Sequence, residues 1–376
     1  IANIIEEGRI GGPQKRILYV ANSITKKVNT TIIFPKDNSK ELQAYCDLYK
    51  IKHHTLPLTT PQKNWIIFLK YFIYFPYEIL VLFFFFKKNQ FDIIHVSGGS
   101  WQFKGVIAAK LARIKVVWEL NDTYVPFFIK FFFFFLSHLV DSFIFASYRT
   151  KNYYINLISK NKKHFLIQSP VDTNYFDPEK RYPSDRDCKK ILNKKIVIGT
   201  VANISPVKNL ISLIKSAKDL NCFSNKIAFI VVGSIYKNQK KHYKDLKNLI
   251  RKLKIKNFFF LGPQKDVRPI LKKIDIYICC SKNESSPLSV WEAMSMEKAI
   301  ISTDVGDVAK FITHKVNGLL LTKSNGAILS DRIKKLSSRK LRVKYGKLSR
   351  KIAIKKLDLK ICSNLHFKTY KKIIKG

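Results

Sequence analysis

SKNESSPLSVWEAMSMEKAIISTDVG, residues 281–306, indicates the fold class by itself. Its middle contains a helix start, with Ser286 as the expected N-cap and Pro287 at the first helical position. Glu284 stands just before this helix, and Glu292 stands in its second turn. The apolar run AIISTDVG that follows has the composition of a buried parallel strand. This order of elements predicts a parallel α/β sheet in which the loop lies at the ligand-binding edge.

Apolar runs of strand length recur along the chain, and a segment of helix length follows each of them. Such strands are typical of parallel sheets that are covered on both faces. The pattern stops at residues 168–187, which are rich in Pro, Asp, Ser and Tyr, and it then starts again. The predicted strands are 29–35, 91–99, 115–122 and 141–147 in the first half, and 195–204, 227–234, 257–262, 275–281 and 299–306 in the second.

The restart predicts two Rossmann-like α/β domains that face each other across a cleft. The N-terminal domain is expected to span residues 1–178, and the C-terminal domain residues 179–356. Residues 357–376 have the pattern of a basic helix. In open parallel sheets, ligands bind beyond the carboxyl ends of the strands, so the loops after strands are the candidate sites.

The chain is strongly basic, because 69 Lys and Arg residues outnumber 26 Asp and Glu residues and give a net charge of +43. Such a field attracts polyanions such as nucleic acid, an anionic membrane surface or phosphorylated substrates. A compositional bias towards lysine on solvated faces explains the excess equally well. The lysines are spread over the whole chain, and the aromatic residues cluster with aliphatic ones. This distribution argues against nucleic acid as a partner.

The six cysteines are scattered, and none forms a C-x-x-C pair. This spacing argues against a zinc site or a disulfide framework and favours a reducing compartment. The opening residues IANIIEEG have the pattern of a strand and not of a signal peptide. We therefore expect a cytoplasmic location.

Two apolar stretches stand out in the first half, at residues 66–86 and 127–136. The first is about long enough to cross a bilayer, but it contains Lys70, Pro76 and Glu78, and a charge at mid-bilayer costs roughly 2.5–3.5 kcal/mol. Its polar residues recur at helical spacing and predict one narrow polar stripe. Both stretches are expected to be helices with apolar outer faces, either buried in the core or resting on an anionic bilayer.

The loop and helix of residues 283–292 suit a ligand that has a diphosphate between two polyols. The N–H groups of Ser285 to Ser289 and the helix dipole make an anion site. Glu284 would repel a phosphate, so it is expected to face a hydroxyl-bearing part of the ligand. Glu292 can accept two hydrogen bonds from a ribose diol. A capped surface helix with two solvated glutamates is the plain alternative.

A second strand, loop and helix occur at GTVANISPVKNLISLIKSA, residues 199–217. Lys208 stands where the loop enters the helix, and its cation can neutralise a diphosphate. Asn203 can donate a hydrogen bond to the same group. A single lysine in a lysine-rich chain also fits a solvated surface, but its position after a strand favours the diphosphate.

In the first domain, the segment GRIGGPQKR (8–16) leaves a strand and enters a helix. Gly11 and Gly12 either let a ligand approach the backbone closely or form an ordinary tight turn. His95 ends another apolar strand and is either a catalytic-site residue or a satisfied core histidine. Asp122, after the strand of WELND, either accepts a hydroxyl proton or caps the next turn.

The segment NESSPLSVWEAMSMEKAIISTDVGDVAKFITHKVNGLLL (283–321) resembles the E-x7-E region, glycine turn and NGLL strand of glycosyltransferase family 4, which has the GT-B fold. ANISPVKN (202–209) is similar to the phosphate-contacting segment of that family, and QSPVDTNYFDP (168–178) is similar to its interdomain signature. EEGRIGGPQKRILYVA (6–21) resembles its first glycine loop. The resemblance covers nearly the whole chain and is strongest from 195 to 321.

The resemblance implies a role for each matched residue. Glu284 contacts the donor sugar at the reacting centre, Glu292 holds the ribose, and Lys208 with Asn203 holds the diphosphate. It also implies a retaining transfer without a metal or other cofactor, because the lysine and the helix dipole stabilise the leaving diphosphate. A frequent acid of the family is replaced at Lys310. The C-terminal helix is expected to return to the first domain.

One departure from the family concerns the group that activates the acceptor. Members often carry a histidine at the end of the strand that WELND matches, and this chain has no histidine there. The predicted catalytic residues are Glu284, Asp122, Asn121 and His95. The predicted donor-binding residues are Gly11, Gly12, Asn203, Lys208, Ser285, Ser286, Pro287, Leu288, Ser289 and Glu292.

The predicted function is therefore a retaining glycosyltransferase that uses a nucleotide sugar donor and a lipid-linked or saccharide acceptor. Its product would belong to a cell-surface glycan, such as lipopolysaccharide or another polysaccharide, and the enzyme would lie on the inner face of the cell membrane. Two alternatives are a nucleotide-sugar isomerase of the same fold and a non-catalytic basic scaffold at the membrane. The E-x7-E helix argues against the first, and the presence of Glu284, Lys208 and Glu292 argues against the second.

Overall fold

The structure, a computed structural model, describes residues 1–60, 65–183 and 196–375. The chain divides into two compact units: unit 1 comprises Ile1–Pro170 and Leu359–Gly376, and unit 2 comprises Val171–Asp358. This division places the first boundary eight residues before the predicted one, and inside the predicted linker 168–187. Residues 184–187 of that linker lie outside the described residues.

Unit 1 is built on a seven-stranded parallel sheet with the strand order β3-β2-β1-β4-β5-β6-β7. The order reverses between β1 and β4, because β1 pairs with β2 on one side and with β4 on the other. Its strands are β1 (Ala2–Ile4), β2 (Thr31–Pro35), β3 (His53–Leu56), β4 (Ile93–Val96), β5 (Lys115–Leu120), β6 (Ser142–Phe145) and β7 (Lys163–Leu166).

Helices cover both faces of this sheet, as the continuous apolar strands predict. They are α1 (Gly12–Ile24), α2 (Lys40–Leu48), α3 (Trp65–Asn89), α4 (Phe103–Leu111), α5 (Phe127–Ser137), α6 (Tyr148–Tyr154) and the C-terminal α14 (Leu359–Lys375). One hydrophobic cluster joins α3, α4 and α5 to one face of the sheet. Two others join α1, α2 and α14 to the opposite face. The C-terminal helix therefore belongs to unit 1, as the resemblance implied.

Unit 2 has a six-stranded parallel sheet with the order β10-β9-β8-β11-β12-β13, which reverses between β8 and β11. Its strands are β8 (Ile196–Val201), β9 (Ile227–Val232), β10 (Phe258–Gly262), β11 (Ile276–Cys279), β12 (Ala299–Thr303) and β13 (Gly318–Leu321). Its helices are α7 (Leu210–Asp219), α8 (Lys240–Lys252), α9 (Arg268–Lys273), α10 (Leu288–Ser295), α11 (Val308–Phe311), α12 (Gly326–Lys335) and α13 (Arg339–Ile352). The two-domain α/β architecture predicted from the sequence is confirmed.

The apolar helix α3 has two different faces. Residues Ile79, Leu82 and Phe86 are buried against α4 and the sheet. Glu78 is also buried, at 1% exposure, where it forms a salt bridge with Lys104. The predicted polar stripe is therefore wrong at this position, because the glutamate points into unit 1 and has a buried counter-ion.

The outer face of α3 is apolar and exposed. Within the described residues, Leu69–Asn89 is the one helical segment that is long and apolar enough to cross a membrane. Only 28% of its most apolar 18-residue stretch is buried. Phe127 in α5 is 83% exposed. Further exposed apolar side chains of the two helices are Leu69, Phe72, Ile73, Leu80, Phe84, Phe128, Phe131, Phe132, Phe134 and Phe135. The prediction of apolar outer faces is confirmed on the described part of both helices.

Candidate active site

In unit 2, two predicted donor contacts meet where the strand order reverses. Loops that leave neighbouring strands on either side of such a reversal diverge and create a crevice. Lys208 lies on the loop after β8, and Glu284 lies on the loop after β11. Their charged groups form a salt bridge. The fold thus brings a cation and a carboxylate together at the place where parallel sheets bind ligands.

The two loops are fixed to each other around this pair. Ser281 Oγ donates a hydrogen bond to Glu284 Oε1 at 2.9 Å. The backbone N–H of Lys282 donates to Val207 O at 2.8 Å. The side chains of Lys208 and Glu284 keep 24% and 18% exposure, so both remain accessible to a ligand.

The lysine of this pair is a cation at neutral pH. Burial alone would lower the pKa of Lys208, but the adjacent Glu284 carboxylate outweighs burial and holds the pKa above its usual value. A charged lysine that is already partly desolvated is suited to bind a phosphate oxygen, because less hydration is lost on binding.

Helix α10 begins at Leu288, one residue later than predicted. Pro287 is its N-cap and has an extended ψ of 93°, so it does not occupy the first helical position. Ser286, the predicted N-cap, instead accepts a hydrogen bond at 3.1 Å from Trp291 Nε1. The helix N-terminus still follows directly after the loop that holds Glu284, where its dipole favours an anion.

The turn after β12 supports the same loop. Gly306 has a φ of +55°, and a Cβ atom there would lie 2.1 Å from Ser285 O. Thr303 Oγ1 donates to Ser281 O at 2.7 Å. The glycine is therefore required both by its conformation and by this close approach.

The remaining predicted donor residues lie around the same edge. Glu292 is in the second turn of α10 and is 5% exposed. Ser289 lies one turn earlier in α10. The hydroxyl of the buried Tyr277 lies 3.3 Å from both N and O of Val201, at the end of β8. Asn203, on the loop after β8, accepts a hydrogen bond at 3.3 Å from the Ser205 hydroxyl. The contact of Glu292 with a ribose stays a prediction.

In unit 1, the predicted glycine pair does join a strand to a helix. Gly11 is the N-cap of α1 with extended backbone, and Gly12 is the first helical residue. Gln14 Nε2 reaches back to Glu7 O at 3.0 Å and closes the segment on itself. This segment follows β1, which borders the reversal of the sheet.

The structure corrects the expectation that His95 is catalytic. The histidine is 1% exposed, and its Nδ1 lies 2.7 Å from the Tyr370 hydroxyl of α14. Its Nε2 lies 3.5 Å from Glu119, which also binds Arg16 at 3.0 Å and lies 3.8 Å from His366. Because this cluster is sealed inside unit 1, His95 is a buried core histidine, which is the alternative that the sequence left open.

The electrostatics of the cluster agree with a structural role. Burial alone would raise the pKa of Glu119, but Arg16 and the two histidines hold it well below its usual value. Burial and the positive field of Arg16 lower the pKa of His366 well below its usual value. The glutamate is therefore the buried anion and Arg16 its permanent counter-ion.

Asp122 and Asn121 lie just after β5, close to the loop that follows β4. Asp122 accepts hydrogen bonds from Ser100 N at 3.0 Å and from the Tyr154 hydroxyl at 2.7 Å. Asn121 Nδ2 donates to Glu119 Oε1 at 3.2 Å. Burial raises the pKa of Asp122, while its hydrogen bonds act in the opposite direction.

Comparison with known proteins identifies the family of this chain. The family described as Glycosyltransferase Family 4 matches residues 10–175, and the family described as Glycosyl transferases group 1 matches residues 183–352. The protein is a family 4 glycosyltransferase. The two matches cover the N-terminal and C-terminal halves in the order that the GT-B fold requires.

Individual relatives support the same assignment. The glycosyltransferase is 25% identical, over 80% of its own length and 83% of the relative, to N,N'-diacetylbacillosaminyl-diphospho-undecaprenol alpha-1,3-N-acetylgalactosaminyltransferase of Campylobacter jejuni. It is 24% identical, over 62% of its length and 63% of the relative, to UDP-Gal:alpha-D-GlcNAc-diphosphoundecaprenol alpha-1,3-galactosyltransferase of Escherichia coli.

Solved structures show the GT-B fold. A glycosyltransferase from Rickettsia africae superposes with a TM-score of 0.84 at 19% identity, over 100% of this chain and 98% of that one. Anabaena HepE in complex with UDP-glucose superposes with a TM-score of 0.84 at 18% identity, over 99% of each chain. The predicted fold and family of the glycosyltransferase are confirmed.

Several residues of the site were not predicted. Ser281, which holds Glu284, is the last residue of the predicted strand 275–281, and this position at the carboxyl end of a strand is the signal that could have indicated it. Tyr277 and Tyr154 gave no such signal, because each lies within a regular element and reaches the loops only in three dimensions. Among the described residues, no group of three or more His, Cys, Asp or Glu is arranged to hold a metal ion. The metal independence of the glycosyltransferase stays a prediction.

Proposed function

We propose that this glycosyltransferase moves a sugar from a nucleoside diphosphate sugar to a saccharide carried on undecaprenyl diphosphate, in the synthesis of a cell-surface glycan. The observation that carries the proposal is the partly exposed salt bridge between Lys208 and Glu284 at the reversal of the unit 2 sheet. The names of the Campylobacter jejuni and Escherichia coli relatives support an undecaprenyl-linked acceptor. The complex of HepE with UDP-glucose supports a nucleotide sugar donor.

In the proposed chemistry, the donor replaces the salt bridge between Lys208 and Glu284 by its own contacts with each side chain. Lys208 and the N-terminus of α10 bind the diphosphate and stabilise the negative charge that it gains as it leaves. Glu284, released from the lysine, faces the sugar near the reacting carbon. Glu292 binds the ribose. These roles suit transfer with retention of the anomeric configuration and without a metal, as the family resemblance implies.

Donor binding is tested by thermal unfolding in the presence of nucleoside diphosphates with different bases, and of their sugars. A ligand that binds only the folded protein raises the melting temperature. We expect one base to stabilise the wild-type protein, and both Lys208→Ala and Glu292→Ala to lose this effect. Lys298→Ala, a lysine that donates to a backbone carbonyl, is the matched control. No stabilisation by any nucleotide would refute the proposal.

Transfer is tested with the stabilising sugar nucleotide and synthetic GlcNAc-diphospho-undecaprenol. Formation of a lipid-linked disaccharide, unchanged by EDTA and with retained configuration in its NMR coupling, is the expected result. Release of an isomerised nucleotide sugar without any disaccharide would instead support the isomerase alternative.

We also propose that unit 1 rests on the anionic inner face of the cell membrane through α3 and α5. Six phenylalanines of α5 are exposed, and the outer face of α3 is apolar over its described length. Lys70, Lys87 and Lys88 of α3 and Lys130 of α5 are placed beside this apolar surface. Exposed aromatic rings flanked by lysines suit a bilayer that carries anionic lipid.

Flotation with vesicles of phosphatidylglycerol and phosphatidylethanolamine tests this docking. The wild-type protein should float at low salt, and the double variant Phe131→Asp/Phe135→Asp should remain at the bottom. Leu48→Asp replaces an exposed apolar residue on α2, on the opposite face of the sheet, and this variant should float. Equal flotation of all three proteins would contradict docking through α5.

A further inference from the structure

The segment that joins β4 to α4 is a tight turn built on two glycines. Gly98 and Gly99 have φ angles of +111° and +129°, a region that residues with side chains rarely adopt. A Cβ atom at Gly99 would lie 2.7 Å from a carboxylate oxygen of Asp122. The turn is therefore pressed against this carboxylate in a shape that glycine permits.

Asp122 holds the turn through both of its oxygens. Its Oδ2 accepts hydrogen bonds from the N–H and the hydroxyl of Ser100, at 3.0 and 3.1 Å. Its Oδ1 accepts the Tyr154 hydroxyl at 2.7 Å, and Tyr154 is fully buried. Trp118 Nε1 fixes the other side of the turn by donating to Gly99 O at 2.9 Å. Residues from β5 and α6 thus converge on one short piece of backbone.

The position of the turn connects it with substrate binding. It leaves the carboxyl end of β4, which is the neighbour of β1 at the reversal of the unit 1 sheet. Gln102, at the N-cap of α4, accepts a hydrogen bond from Glu6 N, so the turn is tied to the segment that leads to Gly11. Ligands of open parallel sheets bind in the crevice at such a reversal.

The chemistry of the turn favours a neutral ligand. The carboxylate of Asp122 lies directly behind the turn and accepts hydrogen bonds from Ser100. Its negative charge would repel a phosphate, whereas the hydroxyl groups of a sugar can both donate and accept hydrogen bonds at the backbone of the turn.

We propose that Asp122 is a positioning residue that shapes the Gly98–Ser100 turn as a backbone contact for the acceptor sugar, and that it does not remove the proton from the reacting hydroxyl. The inference rests on the proposed function, because it assumes an acceptor sugar and assigns the binding of that sugar to unit 1. Both oxygens of Asp122 already hold hydrogen bonds from neutral protein donors, and this is the arrangement of a structural anchor.

Two substitutions separate the positioning role from that of a base. Asp122→Asn keeps the shape and can keep all three hydrogen bonds, because the Tyr154 hydroxyl can rotate to accept from the new amide. The asparagine cannot act as a base. Asp122→Ala removes both the basic group and the hydrogen bonds that hold the turn. The assay is the transfer to GlcNAc-diphospho-undecaprenol described above, with kcat and the acceptor KM measured across the neutral pH range, from mildly acidic to mildly alkaline buffer.

If Asp122 is a positioning residue, Asp122→Asn should keep kcat within about threefold of wild type and leave the shape of its pH profile unchanged. Loss of a general base would instead slow turnover by about 10²–10⁴-fold. Asp122→Ala and Tyr154→Phe should raise the acceptor KM, the alanine variant by roughly tenfold or more, because misplaced contacts weaken binding. Asp92→Ala, an exposed aspartate of unit 1, is the control for lost charge.

Two results would overturn the inference while leaving the proposed function intact. The first is a turnover rate that falls by about a hundredfold or more in Asp122→Asn, together with loss of the acidic limb of the pH profile, which would identify a base. The second is an unchanged acceptor KM in Asp122→Ala. Failure of the proposed function is recognised separately, by wild-type protein that neither binds a nucleotide nor forms a disaccharide.

Discussion

Replacement of Lys104 by methionine should strongly destabilise unit 1. The ammonium group is completely buried, forms a salt bridge with Glu78 and lies 3.8 Å from Glu6. It also donates to Thr59 O at 2.7 Å and lies 4.0 Å from the ring centroid of Tyr71. Removing one partner of a buried ion pair costs about 3–5 kcal/mol, because the other charge is left without compensation.

The loss is measurable by thermal unfolding. For a unit of this size, each 1 kcal/mol shifts the melting temperature by roughly 2–4 °C, so Lys104→Met should lower the unit 1 transition by roughly 10 °C. Differential scanning calorimetry in mildly alkaline buffer is the suitable assay. Lys70→Met changes an exposed lysine on α3 and should stay within about 0.5 kcal/mol of wild type.

A second variant tests the explanation itself. If the cost arises from an uncompensated carboxylate, the double variant Lys104→Met/Glu78→Gln should regain part of the stability, because it removes that charge. A single variant that loses less than about 1 kcal/mol would refute the reasoning. Equal losses in the single and double variants would assign the effect to packing instead.

Three further predictions concern single positions. Burial raises the pKa of Glu6 to about 7 despite a neighbouring lysine, so the folded state binds this proton more tightly than the unfolded state. The free energy of unfolding should therefore fall as the pH rises from about 4.5 to 7. Glu6→Gln should flatten this slope when the free energy is measured by urea titration at each pH. Gly306→Ala should lower the free energy of unfolding by at least about 1 kcal/mol, because the new Cβ atom would collide with Ser285 O. It should also weaken nucleotide binding, measured by titration calorimetry. Tyr370→Phe should lower the free energy of unfolding measured in urea by about 1–3 kcal/mol, since it removes the hydroxyl that lies 2.7 Å from the buried His95 Nδ1.

The sequence was sufficient for the architecture and for the centre of the unit 2 site. Continuous apolar strands, and the restart of the pattern after residues 168–187, predict two parallel sheets. The loops that follow two of these strands contain Lys208 and Glu284. The strands β3 and β7 were not predicted, because they are short edge strands with only partly buried residues. Edge strands lack the apolar run that distinguishes central ones.

Residues whose role depends on distant partners could not be assigned from the sequence. Glu78 looks like part of a polar stripe until Lys104 is placed beneath it. His95 ends a strand at the expected edge, and only the return of α14 with Tyr370 shows that it is sealed in. Asp122 depends on Tyr154, 32 positions later. Helical and strand periodicity identify which face a residue occupies, but they do not identify the element that covers this face.

The ionic groups of the chain divide into two kinds, and this division indicates where binding occurs. Arg16 with Glu119, and Lys104 with Glu78, are sealed pairs whose desolvation is unfavourable and whose partners cannot be exchanged. Arg16 of the first pair lies four residues after the start of α1. Lys104 of the second pair also lies 3.8 Å from Glu6, which precedes the Gly11–Gly12 pair. Fixed charges on both sides of Gly11 and Gly12 would hold that backbone in place before a ligand arrives, which reduces the ordering that binding requires.

The pair of Lys208 and Glu284 is of the other kind, because both side chains keep part of their exposure. A ligand with a diphosphate and a sugar hydroxyl can replace each partner by an equivalent group, so the exchange conserves the number of charge-assisted hydrogen bonds. A sealed pair has no such exchange available. The partly exposed pair at the reversal of the unit 2 sheet is therefore the contact expected to change during catalysis, while the sealed pairs hold the loops of unit 1 in place.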